Sequence, residues 1–208
     1  VANQKALKLE PNDFEVHNNV GNSLINLGRV QEAVISFKKA ISLNPNNPLA
    51  HANLGTSYRL TGKLDAAKLA LQKSLQLQPN NPITIVTLGG LNLEMNELDS
   101  ASKAASNAIK IAPDYAKAYT LLGKINQVTG NLGIAKEHFK QALKLNPNEV
   151  EAIFCLSTDI DQPKEAEDLM QSWQNEWDIF NIEAAEPQKN AEVQRTKIKQ
   201  IESSLKGL

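Results

Sequence analysis

The sequence predicts an all-α fold, a solenoid of stacked antiparallel helix pairs, on three observations. Five segments, LKLEPND, ISLNPNN, LQLQPNN, IKIAPDY and LKLNPNE, place prolines at Pro11, Pro45, Pro79, Pro113 and Pro147, each 34 residues after the last. Glycines keep the same interval at Gly21, Gly55, Gly89 and Gly123. So do small residues, at Ala33, Ala67, Ala101 and Ala135 and again at Ala40, Ser74, Ala108 and Ala142. Self-similarity at one fixed interval of this size is the mark of repeats that cannot bury their apolar faces singly and do so by stacking.

Each interval reads as two helices. Asn47-Pro48 and Asn81-Pro82 are start signals, with asparagine as N-cap and proline at the first helical position, where no amide hydrogen is needed. A first helix of about 13 residues then runs to a turn at Gly28, Gly62, Asn96 or Gly130. Glycine, or asparagine in its stead, suits a turn that needs the left-handed backbone region. The second helix carries the apolar spacing Ala33, Phe37, Ala40, Ile41, and the proline that follows cannot continue it. Gly21 and Ala33 are placed where the two helices cross, with small side chains allowing close approach.

The chain has 208 residues, a net charge of −1 and 5% aromatic residues, so neither a basic footprint for nucleic acid nor a single aromatic-rich core is expected. No apolar run approaches the length of a membrane-spanning helix, and a soluble, cytoplasmic setting is the expectation. Reactive side chains do not converge. His17 and His51 share one repeat position, where a packing residue is expected rather than a metal ligand, because no cysteine or carboxylate completes a ligand set. His138 is the third histidine, and Cys155 has no histidine near it in sequence. Gly89-Gly90 lacks the frame of a phosphate loop. No cofactor, no metal and no catalysis are expected.

The pattern resembles the tetratricopeptide repeat family. The 34-residue interval, the pairs Leu54-Gly55, Leu88-Gly89 and Leu122-Gly123, Tyr58, the alanine series and the closing prolines carry the likeness. The chain departs from the family pattern where the first helix usually has a large residue, with His17, His51, Ile85 and Tyr119. It departs again where Leu24, Asn92 and Asn126 stand in place of the tyrosine kept at Tyr58. The resemblance implies a right-handed α-α superhelix. Residues 1–13 are expected to end a truncated preceding repeat, 14–149 to form four complete repeats, 150–186 a degenerate fifth, and 187–208 a capping helix. Between 159 and 186 lie nine acids and one lysine, with Trp173 and Trp177 expected on an apolar helical stripe.

In this family the first helices line a concave groove, and the resemblance assigns one stripe of each to it. That stripe contains Asn18, Asn19, Asn22 and Asn26, then Asn53, Thr56 and Arg59, then Ile83, Val86, Thr87 and Leu93, and last Lys117, Thr120 and Lys124. The stretch HNNVGNSLIN, residues 17–26, is a costly helix sequence. Its asparagines gain a reason if their amides face a ligand, since they both donate and accept. Asn19 and Asn53 are similar to the asparagine ladder in the repeat domain of O-linked N-acetylglucosamine transferase. Asn22 and Asn53 match the asparagines of the chaperone-binding carboxylate clamp. Asn18, Ile83 and Thr87 occupy its basic positions, which disfavours chaperone tails.

The expected function is therefore a non-catalytic protein–protein interaction module binding an extended peptide or a partner helix. The groove would run from amides through the apolar Ile83, Val86 and Leu93 to a basic end at Lys117 and Lys124, which would take an acidic group. Two alternatives stand beside it. One is the substrate-recognition array of a larger glycosyltransferase or sulfotransferase. The other is a scaffold that self-associates through its open N-terminal end.

Overall fold

The computed structural model describes residues 9–158. Most of the truncated N-terminal half-repeat, most of the degenerate fifth repeat with Trp173 and Trp177, and the capping helix at 187–208 lie outside the described residues. Among the described residues there are nine helices and no strand. They divide between two compact units at Pro113 and Asp114. The first unit holds α1 (Phe14–Asn26), α2 (Val30–Leu43), α3 (Pro48–Leu60), α4 (Leu64–Leu77), α5 (Pro82–Glu94) and α6 (Leu98–Ile111). The second holds α7 (Ala116–Val128), α8 (Leu132–Leu145) and α9 (Val150–Thr158).

Three first helices, α1, α3 and α5, start on side-chain caps, while α7 follows Tyr115 without one. Asp13 Oδ1 accepts from the Glu15 amide at 2.7 Å, Asn47 Oδ1 from Ala50 at 2.9 Å, and Asn81 Oδ1 from Ile83 and Thr84 at 3.0 and 3.2 Å. Pro48 and Pro82 open the helices behind the two asparagines. The second helices start without any side-chain cap. Their turns are held by main chain instead. The amides of Arg29, Lys63, Glu97 and Asn131 donate to carbonyls five residues back, at Leu24, Tyr58, Asn92 and Asn126. The residue before each, Gly28, Gly62, Asn96 or Gly130, has a positive φ of 59–79° and donates three residues back. This is the paired hydrogen bonding of a Schellman turn. Asn96 fills the left-handed position as the sequence predicts, at φ 59°.

The helices of a pair pack through their small residues. Gly21 is buried on α1, and a Cβ there would overlap the ring of Phe37, which is itself fully buried. The ring of Phe37 thus fills the space over Gly21, and Ala33 is fully buried on the same helix. Cores are shared between successive pairs. Ala33 and Phe37 of α2 cluster with Leu54 and Ala70, and Ala67 and Leu71 of α4 cluster with Leu91 of α5. In the second unit Phe139 and Leu143 meet Ala152, Ile153 and Leu156 of α9. A pair that buries its apolar surface only with a neighbour's help is the physical basis of a stacked repeat.

The third pair departs from the others. The residue equivalent to Phe37, Leu71 and Phe139 is Ala105, and the residue equivalent to Leu24 and Tyr58 is Asn92, which is 5% exposed. Asn92 Oδ1 is buried with no hydrogen-bond partner. A buried acceptor left unpaired costs about 1–3 kcal/mol. Asn92→Leu, close in size and apolar, is therefore expected to raise stability by about 1–2 kcal/mol in denaturant melts. A neutral or destabilising result would mean that a water satisfies that oxygen.

Candidate functional site

The first helices neighbour one another in succession within each unit, and their shared face carries most of the residues assigned from the sequence. On α1, Asn19, Asn22 and Asn26 are exposed. Asn18 is not: it is 7% exposed, and its Oδ1 accepts from Asn53 Nδ2 of α3 at 3.0 Å. The crowded asparagines therefore divide, with one built into a bridge between helices and three presented. Asn53 is half-buried and keeps its own Oδ1 and a second amide hydrogen outside that bond.

The threonines are less available than the sequence suggests. Thr56 and Thr87 donate to the carbonyls of Ala52 and Ile83, four residues back. Thr120 is 1% exposed and its hydroxyl faces Ala116 O at 3.4 Å, so it lies in the core rather than on a binding face. The reason is general: a helical threonine finds its nearest acceptor one turn back on its own helix. Val86 and Leu93 are half-buried, while Leu49 and Ile83, at one repeat position, are 56% and 61% exposed.

Charge is compensated in place. Arg59 Nη1 of α3 lies 3.2 Å from Glu94 Oε1 of α5. In the second unit Lys124 Nζ of α7 lies 2.6 Å from Glu151 Oε1 of α9. Lys117 is exposed, and its charge acts on Glu149, which is buried at the repeat position of the caps Asp13, Asn47 and Asn81. Burial pushes the Glu149 carboxyl above the usual carboxylate range, against the opposing pull of Lys117. Burial, with Glu149 close by, also raises the Tyr115 phenol. Of the two lysines, Lys124 is thus ion-paired and Lys117 is exposed. Sequence reasoning missed Glu94, Glu149 and Glu151. The 34-residue interval contains the signal, since Glu151 follows Lys117 by one interval and Glu94 follows Asn26 by two.

His17 and His51 gain a structural role. Each sets Nε2 against the carbonyl of the preceding closing proline, at 2.8 Å from Pro11 O and 2.9 Å from Pro45 O. A carbonyl only accepts, so Nε2–H donates and fastens the inter-repeat loop to the next helix. Cys155 is buried. Among the described residues no group of three His, Cys, Asp or Glu is placed to hold a metal. No helix among them is long and apolar enough to cross a membrane.

Comparison with known proteins bears on this geometry. Tetratricopeptide repeat models match residues 2–35, 58–125 and 116–149, and a TPR repeat model matches residues 21–60. Comparison with curated proteins gives no match. Among solved structures, MamA is similar at 28% identity and TM-score 0.61, over 72% of this chain and 88% of that one. PilF of Pseudomonas aeruginosa is similar at 19% identity and TM-score 0.66, over 84% and 78%. YrrB, described as a TPR protein with an unusual peptide-binding site, is similar at 19% identity and TM-score 0.58, over 84% and 90%. The last two likenesses carry the fold alone. Family models run from residue 2 to residue 149, and within each unit the helix pairs, left-handed turns and small-residue crossings follow the same plan. The chain belongs to the tetratricopeptide repeat family, whose repeats serve as protein-interaction modules.

Proposed function

We propose that the face of the first helices in the first unit binds an extended peptide through its main chain. The observation that carries this is the Asn18–Asn53 amide bridge, with Asn19 and Asn22 exposed beside it. The bridge holds Asn53 in one orientation and leaves it donor and acceptor capacity. An extended peptide offers matching unpaired N–H and C=O groups at regular intervals, largely independent of its sequence. Leu49 and Ile83 supply exposed apolar contact on the neighbouring helices. YrrB is a precedent for peptide binding on this fold. No catalytic role is proposed.

Affinity is expected to be about micromolar, because ordering a flexible peptide offsets much of the contact energy. The test is an array of 12-residue peptides, with selected peptides then titrated by fluorescence polarisation. Asn19→Ala/Asn22→Ala removes two exposed amides that cap no helix and bridge no pair. It should weaken binding about fivefold or more at a melting temperature that is no lower, since alanine is the better helix former. Unaltered affinity in that variant would sink the proposal.

A further inference from the structure

The structure of the first unit points to more than main-chain binding. We propose that Arg59 recognises a side-chain carboxylate within the bound peptide, a proposal that rests on the groove reading above.

Three cations lie at positions assigned to the binding face, and their surroundings differ. Lys117 and Lys124 belong to the second unit, where Lys124 is held by Glu151 at 2.6 Å and Lys117 is exposed. Arg59 is held more loosely, by a single contact of 3.2 Å from Nη1 to Glu94. A guanidinium carries five N–H donors in a planar fork, and this contact engages one corner of it. Its side chain is about one-third exposed and that of Glu94 about half, so solvent reaches both.

Gly90 of α5 lies beside the guanidinium. At the equivalent positions the other first helices carry Asn22, Thr56 and Lys124. On α5 the position has no side chain, and a Cβ built there would lie 3.5 Å from Arg59 Nη1. That is ordinary contact distance, so the position would admit a methyl group, whereas side chains as long as those of the other first helices would compete with the guanidinium for this space. An incoming carboxylate can then take two parallel N–H bonds from the fork. Glu94 is the internal competitor, and a partly exposed pair of this kind contributes little that the ligand must overcome. Arg59 is not at one of the basic positions of the chaperone clamp, which here are Asn18, Ile83 and Thr87.

The carboxylate belongs to a side chain rather than to a chain terminus. Arg59 sits on the middle first helix of the unit, with the Asn18–Asn53 bridge before it and Ile83 after it. A peptide using both neighbours must pass Arg59 rather than end there.

The test uses the full chain and fluorescein-labelled 12-residue peptides taken from the array, in three forms: one central Glu, Gln at that position, and a version truncated to end there with a free carboxylate. The wild type should prefer the Glu peptide over the Gln peptide by about tenfold. Arg59→Gln should erase the preference, the Glu peptide losing more affinity than the Gln peptide. Glu94→Gln should tighten the Glu peptide about two- to fivefold by removing the competitor. A purely structural pair would give no such gain. Equal binding of Glu and Gln peptides, weaker Glu-peptide binding in Glu94→Gln, or a preference for the truncated form would overturn the proposal. If both peptides bind equally and both lose affinity in Asn19→Ala/Asn22→Ala, main-chain binding stands and only the role of Arg59 is lost. If no peptide binds the wild type, both readings fall.

Discussion

Gly21→Leu is expected to destabilise the first unit by about 1–3 kcal/mol or more, the usual cost of overpacking a well-filled crossing. Even a Cβ at this position overlaps the Phe37 ring, so the helix pair must separate or the ring must leave its site. Leucine does better than glycine in a helix by roughly 0.5–1 kcal/mol, which opposes the clash without cancelling it. Urea melts followed by circular dichroism measure the difference. A variant as stable as the wild type would mean that α1 and α2 do not pack through Gly21.

Phe37→Ala is expected to cost about 3–5 kcal/mol, the range for emptying a buried aromatic site. Phe37 has no exposed surface and clusters with Ala33, Leu54 and Ala70, so its loss is felt in two successive helix pairs. Denaturant midpoints give the value, and combining the two substitutions gives a further reading. Gly21→Leu fills part of the space that Phe37→Ala empties, so the double variant should be more stable than the sum of the single effects. Strict additivity would show that the two positions do not share one space.

Much of this fold was legible because the interval repeats. A proline, a small residue or a left-handed turn residue counts for little once, and for a great deal when it recurs in register. Asn96 is the clearest instance: only the interval marks it as the counterpart of Gly28, Gly62 and Gly130, and its φ agrees. The binding face was less legible, because a stripe names the residues that share a direction and not the partners they find. Asn18 and Asn19 are adjacent in sequence, yet one bridges to Asn53 and the other is exposed. Thr120 belongs to the assigned stripe and is buried. The acids that compensate Arg59 and Lys124 come from the next first helix, at distances set by packing. The carbonyl contacts of His17 and His51 depend on how the loop folds back, which residue type alone does not encode.

The uncapped second helices carry a consequence for how such a chain can change. Each inter-helix turn is closed by main-chain hydrogen bonds and by one residue in the left-handed region. The residue after it is arginine, lysine, glutamate or asparagine in the four turns, and none of them caps the helix it precedes. Closing the turn therefore asks little of these side chains, although Arg29 pairs with Glu32 and Glu97 with Lys68 of the preceding pair. Charge and chemistry at these tips can drift, or be rewritten by design, without opening the turn itself. Within each unit the tips are labels on a scaffold whose turns are closed by main chain and whose crossings are set by glycines and alanines.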